Sequence, residues 1–239
     1  MSDHGQVSLG RKVAYGFGSV AFGVKSNGFD YFFLIFYSQV MGVSAYLVSL
    51  ALMIALIVDA LSDPLIGYLS DNTRSRWGRR HPFMYAAAFP AAIAYYFVWN
   101  PPSGLEGDAL FPYIVTIAVL VRTLVTVYEI PSSSLVAEMS DDYDERTSML
   151  SYRYFFGWTG GTLMGAFATI FILVPTATIG NGMFNVEGHG QVGAIAAMVI
   201  FMAMMVSSMG THKMIPDLKA PPPPRQMTIG LIYREVFET

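Results

Sequence analysis

The sequence predicts an all-α, multi-pass membrane protein with six transmembrane helices. Of its 239 residues, 54% are hydrophobic and only 13% are charged, whereas a soluble domain carries nearer a quarter charged residues. Six stretches are apolar over about 20 residues, which is the length that an α-helix needs to cross a bilayer. The Lys and Arg residues between these stretches fall only in alternate connections. That pattern is typical of a chain that crosses a membrane repeatedly.

The predicted spans are separated by connections rich in Gly, Pro, Ser or charged residues. The spans lie at 13–39, 44–70, 82–99, 109–137, 150–174 and 192–210. Residues 1–12 form a short polar N-terminus, and residues 211–239 combine a Pro-rich linker with a predicted amphipathic helix. The first apolar stretch contains Lys25 and Asp30 and lacks a small-residue cleavage site, so we do not expect a signal peptide.

Positive charges predict the orientation in the membrane. Arg11 and Lys12 precede the first span, Arg146 lies between the fourth and fifth spans, and four arginines lie between the second and third. The remaining three connections carry no Lys or Arg. Both termini are therefore predicted to be cytoplasmic. The protein is expected in a plasma or inner membrane, where membrane lipid surrounds it.

Composition also excludes several functions. The formal net charge of −3 gives no reason to expect a nucleic-acid partner, and the absence of cysteine excludes disulfides and zinc–thiolate sites. The sequence has no Ser–His pairing and no metal-ligand cluster of His and acids. We therefore expect neither an enzyme nor a resident cofactor.

Two acids in the second span are the main functional signal. Asp59 and Asp63 lie in an otherwise apolar segment, where a carboxylate is costly unless it is paired or faces a polar cavity. Four residues apart, they share one helix face, and their charges repel each other unless a cation lies between them. The pattern predicts a cation or proton site. The alternative is a structural pair with a base, for which Lys25 or Arg122 is available.

Other residues have structural interpretations. Gly157, Gly161 and Gly165 in the fifth span have the four-residue spacing that favours close helix packing. His81 and His212 are predicted to be isolated loop residues without a role. The acidic run 141–145 is either a solvated loop end or a partner of the Arg-rich loop.

Several motifs resemble one family of transporters. The longest runs from Asp59 to Pro82, and shorter ones are Tyr15-Gly-Phe-Gly18, Glu129-Ile-Pro131, Asp142-Tyr-Asp-Glu-Arg146 and Tyr152-Arg153. They resemble the glycoside–pentoside–hexuronide:cation symporters, a branch of the major facilitator superfamily. The resemblance covers at least the first five spans and implies one six-helix half of that fold.

The resemblance implies roles for individual residues. Asp59 and Asp63 match the acids of the family's coupling-cation site, for Na⁺ or H⁺, and Ser62 and Thr126 match further polar ligands of that cation. The implied solute-binding residues are Glu129 and Arg153, and Lys25 is a further candidate on the first span. An interhelical salt bridge is the alternative for Glu129 and Arg153. The loop residues implied in gating are Asp71, Arg74, Arg79 and Arg80.

The sequence also departs from the family's galactoside carriers. Gly23 stands where those carriers have an acid, and Ser133 stands where they have a tryptophan that stacks on the sugar. A glycoside or related sugar remains the first expectation for the solute. An amphiphilic lipid such as a lysophospholipid is the alternative, because a eukaryotic branch of the family transports one with sodium.

The superfamily fold needs two six-helix halves with the solute cavity between them. The sequence contains six spans, so we expect either a missing C-terminal half or a second, paired half. A different hypothesis is a six-span structural subunit of a membrane complex that does not transport. The charged and polar set in the second and fourth spans favours the symporter.

Overall fold

The computed structural model describes residues 7–177 and 179–218. Within that part of the chain, all regular structure is helical, as predicted. Most of the predicted Pro-rich linker and the whole amphipathic helix lie outside the described residues. Eight α-helices are found in this part of the chain: α1 Leu9–Phe17, α2 Ser19–Asn27, α3 Ala45–Asn72, α4 His81–Trp99, α5 Phe111–Ser134, α6 Val136–Met139, α7 Tyr143–Phe167 and α8 Val186–His212.

Five helical stretches in the described residues are long and apolar enough to cross a membrane: Ala45–Asn72, His81–Trp99, Gly107–Met139, Tyr143–Ile172 and Val186–His212. They correspond to the second to sixth predicted spans. The last two begin earlier than predicted, because a polar residue caps each new start. Asp142 accepts a hydrogen bond from the Glu145 amide (2.8 Å), and Asn185 accepts one from the Gly188 amide (3.1 Å).

The first predicted span is a series of shorter helical segments. After α1 and α2 come two π-helical segments, Gly28–Phe33 and Phe36–Val40. At the break between α1 and α2, Gly18 keeps helical dihedral angles (φ −56°, ψ −28°). Its missing side chain makes room for the Tyr128 hydroxyl and Ser207 of neighbouring helices. None of these segments reaches the length of a span by itself, so a sixth transmembrane helix stays a prediction.

The helices pack so that two faces remain open. Helix α4 packs between α5 and α8, α2 packs on α7, and α3 packs mainly on α5. In the most apolar part of α3 and of α7 only 17% of residues are buried, against 50% in α4 and 44% in α8. The poorly buried faces of α3 and α7 are thus available for lipid or another helical unit. Helices α2, α3, α5 and α7 carry the charged residues of the candidate site.

Glycines set the distance between α2 and α7. A side chain on Gly23 would meet the backbone of Gly157 and Gly161, and one on Gly161 would meet the backbone of Gly23. Gly160 lies against Val20. This contact agrees with the predicted role of the glycines in close packing. It also explains the departure at Gly23, because no acidic side chain fits at that position.

Replacing Gly23 by Ala is expected to lower the free energy of unfolding by about 1–3 kcal/mol, because the added methyl group overpacks a backbone-to-backbone contact. Thermal unfolding of the purified protein measures the change. Gly10→Ala is the matched control, since nothing lies within 4 Å of a methyl group at that helical position. Equal melting temperatures for the two variants would contradict the assigned contact.

Candidate cation and solute site

Asp59 is held by two residues of α5. Its Oδ2 accepts from Arg122 Nη2 at 2.6 Å, and its Oδ1 accepts from the Thr126 hydroxyl at 2.9 Å. Arg122 and Thr126 are one helical turn apart and therefore project from the same face of α5. Both oxygens of the carboxylate have protein donors. The structure thus contains the pair with Arg122 that the sequence offered as the alternative to a cation site.

Asp63, one turn further along α3, differs from Asp59 in its hydrogen bonding. Its Oδ1 is buried and has no hydrogen-bond partner among the described residues. Asp59, Arg122 and Lys25 lie close enough to interact with Asp63 electrostatically, and the Thr126 hydroxyl lies beside its carboxylate. A buried oxygen of a carboxylate without a donor is costly, so Asp63 is a candidate to bind a cation or a proton.

Ser62 does not contact either acid through its hydroxyl. The hydroxyl donates to the backbone carbonyl of Asp59 at 3.0 Å, within α3. Its lone pairs remain available, but the structure does not bring it to the carboxylates as a direct partner. Of the two predicted hydroxyl ligands, Thr126 is the one whose hydroxyl contacts an acid, Asp59.

Glu129 and Arg153 form an ion pair between α5 and α7. Arg153 is buried, donates from Nη1 to the Ser132 hydroxyl at 2.8 Å, and lies over the Tyr15 ring with 5.2 Å from guanidinium carbon to centroid. Glu129 Oε2 is buried without a hydrogen-bond partner in the described part of the chain. The predicted interhelical pair is present, and one acceptor of that pair is still free to bind a polar group.

Lys25 interacts with acids of both the predicted cation site and the predicted solute site. The residue is 5% exposed, its Nζ lies 4.6 Å from the centroid of the Phe22 ring, and it interacts electrostatically with Arg122, Asp59 and Glu129. The structure thus connects the predicted cation and solute residues into one charged group of three acids and three bases, and Lys25 also interacts with Asp30 of the same predicted span. The members of this group are Asp59, Asp63, Glu129, Lys25, Arg122 and Arg153.

The chemistry of this group suits a hard cation, a proton or a polar solute. No group of three or more His, Cys, Asp or Glu side chains that could hold a metal occurs among residues 7–177 and 179–218. Two carboxylates and a hydroxyl are oxygen ligands, which cations of the alkali and alkaline-earth type prefer over nitrogen or sulfur.

Three of the four predicted gating residues, Asp71, Arg79 and Arg80, form a network at the end of α3. Arg80 donates to Asp71 (2.6 Å), to Ser70 (2.9 Å) and to Glu138 (2.8 Å). Arg79 binds the same Glu138 oxygen at 2.8 Å. This network joins α3, the loop before α4 and the short helix α6.

Glu138 is the member of this network that the sequence reasoning missed. It is 5% exposed and its carboxylate accepts hydrogen bonds from both Arg79 and Arg80. Glu138 is therefore the shared acceptor of the network. The available signal was an acid close to the end of the fourth span, at the same membrane side as the Arg-rich loop. The exposed Arg74 lies in the same loop.

The prediction that His81 and His212 are isolated loop residues is wrong. His81 is the first residue of α4, is fully buried, and its Nε2 lies 3.0 Å from the Thr211 hydroxyl. His212 ends α8, and its Nδ1 lies 3.1 Å from the Tyr85 hydroxyl. The two imidazole centroids are 5.7 Å apart. The pair joins α4 to α8, a contact that sequence spacing cannot reveal.

A small, partly open cavity lies elsewhere, among α2, α4, α7 and α8. Trp99 and His189 line it, and its volume of about 20 Å³ has room for one water molecule. It is far too small for a sugar. A larger, open cleft of about 640 Å³ is lined by the Asn100–Glu106 loop and the first turns of α8, and contains no member of the charged group.

Comparison with known proteins decides the family. Residues 14–239 match the family described as "MFS/sugar transport protein". The chain belongs to this family. Family membership confirms the resemblance to the glycoside–pentoside–hexuronide:cation symporters of the major facilitator superfamily. Together with the apolar helices, it makes this chain part of a multi-pass integral membrane protein.

Three relatives of this MFS chain are informative. An uncharacterized symporter of Synechocystis sp. is 32% identical over 83% of the chain and 36% of its own length. The isoprimeverose transporter of Lactiplantibacillus pentosus is 28% identical over 74% of the chain and 37% of its own length. The sodium-dependent lysophosphatidylcholine symporter 1 of Mus musculus is 30% identical over 62% of the chain and 28% of its own length.

These relatives are named as transporters, which agrees with the prediction that the chain is not an enzyme. The matches span well under half the length of each of these three relatives.

Proposed function

We propose that the complete protein containing this chain is a cation-coupled symporter that works by alternating access. The observation that carries the proposal is the unpartnered, buried oxygen of Asp63 beside Asp59 and Thr126, in helices apolar enough to span a membrane. A Na⁺ ion or a proton at Asp63 would satisfy that oxygen and neutralise its charge. This chain would supply the N-terminal half of the carrier, with both termini in the cytoplasm.

The solute is proposed to bind beside Glu129, Arg153 and Lys25. Glu129 offers an unused acceptor, and Lys25 is a buried ammonium that lies over the Phe22 ring. Donors and acceptors of this kind bind hydroxyl groups. Because Lys25 interacts with both Asp59 and Glu129, a change of charge at the cation site would be felt at the solute site. Cation and solute would then favour the same state of the carrier.

A second half is proposed to complete the cavity. The least buried helices, α3 and α7, carry Asp59, Asp63 and Arg153, so an opposing helical unit would enclose the charged group. Asp71, Arg74, Arg79 and Arg80 are proposed to hold the cytoplasmic side closed, with Glu138 as their buried acceptor. Alternating access then requires this network to open and re-form.

A glycoside or related sugar is the solute that we favour, and the isoprimeverose transporter among the relatives supports it. Recognition must differ from that in galactoside carriers, since Gly23 faces the backbone of α7 and the Ser133 hydroxyl donates to the Ile130 carbonyl at 3.0 Å. An amphiphilic lipid is the second candidate, supported by the relative named for lysophosphatidylcholine. The alternative of a non-transporting subunit has no comparable support.

Uptake into vesicles that contain the full-length protein tests the proposal. We expect radiolabelled pentosides or other glycosides to accumulate when an inward Na⁺ or H⁺ gradient is imposed, and accumulation to stop when an ionophore dissipates that gradient. Labelled lysophosphatidylcholine, supplied in parallel, tests the second candidate. Failure of both solute classes to accumulate under either gradient would refute cation-coupled transport of these solutes and favour the structural-subunit hypothesis.

A further inference from the structure

We propose that Arg122 is a tethered competitor of the coupling cation, so that the cation gains Asp59 only when the guanidinium leaves it. This inference rests on the proposed cation-coupled symport and names the residue that sets the cation affinity of the site.

Each carboxylate oxygen of Asp59 already accepts one hydrogen bond. Arg122 Nη2 occupies Oδ2 at 2.6 Å and the Thr126 hydroxyl occupies Oδ1 at 2.9 Å. A cation bound by both Asp59 and Asp63 would lie within a few ångströms of the guanidinium, where like charges repel strongly at low dielectric. Arg122 and the cation therefore exclude each other at Asp59.

Arg122 is held far less firmly than the other arginine of the site. Arg153 has three partners, namely Glu129, Ser132 and the ring of Tyr15. Arg122 has the single carboxylate of Asp59, and its Nε is buried without a hydrogen-bond partner in the described residues. Lys25 also lies near enough to repel it. Withdrawal of Arg122 from Asp59 breaks one direct contact, whereas Arg153 is anchored on three sides.

Because residue 122 is an arginine, its side chain can free Asp59 only by moving away from it. A guanidinium keeps its charge throughout the accessible pH range, so deprotonation cannot vacate Asp59. Withdrawal of Arg122 from Asp59 leaves two adjacent carboxylates, Asp59 and Asp63, as an anionic site that attracts a cation.

Calorimetric titration of the purified full-length protein with NaCl, at ionic strength kept constant with choline chloride, tests the proposal. Arg122→Gln is expected to bind Na⁺ about tenfold more tightly than the wild type, within the usual range of coupling between sites. Arg122→Lys is expected to give a smaller gain, about threefold, because an ammonium lacks the planar fork that holds a carboxylate. Arg76→Gln, which removes an exposed arginine of the loop, serves as the matched control and should leave the affinity unchanged.

If the wild type takes up protons and no Na⁺, the same comparison is made with a pH-indicator dye, and Arg122→Gln should raise the apparent proton affinity by about tenfold. Unchanged or weakened cation binding in both Arg122 variants, with melting temperatures that show them folded, would overturn the competitor role. If Arg122→Gln does not fold, Arg122→Lys decides alone.

Failure of the underlying function gives a different result. In that case neither the wild type nor Asp63→Asn would bind Na⁺ or protons, and the Arg122 variants would bind none either. Binding by the wild type that Asp63→Asn abolishes and Arg122→Gln leaves unaltered would reject the competitor role and retain the symporter.

Discussion

Asp63→Asn is expected to reduce gradient-driven solute uptake by about 100-fold, toward the upper end of the coupling between binding sites. The amide keeps the size of the side chain but removes the negative charge that a Na⁺ ion or proton would neutralise. Because Asp63 Oδ1 has no hydrogen-bond partner in the described structure, the substitution breaks no existing contact of that atom. Initial rates of uptake in vesicles, corrected for the amount of protein, measure the effect.

Asp108→Asn is the matched control for this experiment. Asp108 is exposed and accepts a hydrogen bond from the Ser44 amide at 2.9 Å, a contact that the carbonyl oxygen of asparagine can keep. We expect normal uptake in this variant. Uptake at the wild-type rate in Asp63→Asn would remove Asp63 from the cation site.

Arg153→Met is expected to lower the free energy of unfolding by about 3–5 kcal/mol, because it leaves the Glu129 carboxylate unpaired inside the helix bundle. The lost contacts with Ser132 and Tyr15 act in the same direction. Thermal unfolding of the full-length protein measures the change. Uptake should fall together with stability, since Arg153 belongs to the proposed solute site.

The double variant Arg153→Met/Glu129→Gln separates the contribution of the ion pair to stability from that of side-chain packing. Removing both charges leaves no unpaired ion, so most of the lost stability should return. Uptake should stay low, because the acceptor and donor proposed for the solute are both gone. Equal stability loss in the single and double variants would indicate that Arg153 acts through packing alone.

The charged group could be predicted in part from the sequence. Asp59 and Asp63 share a helix face by their spacing, and acids in an apolar stretch signal a polar site. The neighbours of Asp59 could not be predicted in the same way. Lys25 and Arg122 were equal candidates for its partner, and the rotation and depth of α3 against α5 select Arg122. Ser62 has suitable chemistry and spacing, but its hydroxyl bonds to its own helix.

Contacts at the ends of the helices were the least predictable. Glu138 looked like an ordinary acid near a span end, and it becomes the shared acceptor of Arg79 and Arg80 only when α6 folds against the loop before α4. His81 and His212 are separated by most of the chain and meet because α4 packs on α8.

The sequence by itself determined the all-helical membrane class, because an apolar stretch of about 20 residues must bond its backbone internally to exist in lipid. It also identified the charged and polar side chains within the apolar spans that are candidates for a functional site. The tertiary structure decided which of them meet: Asp59 with Arg122, Glu129 with Arg153, and Asp63 with no hydrogen-bond donor to its buried oxygen in the described residues. The physical reason is that pairing between helices depends on their relative rotation and height, which no single helix encodes.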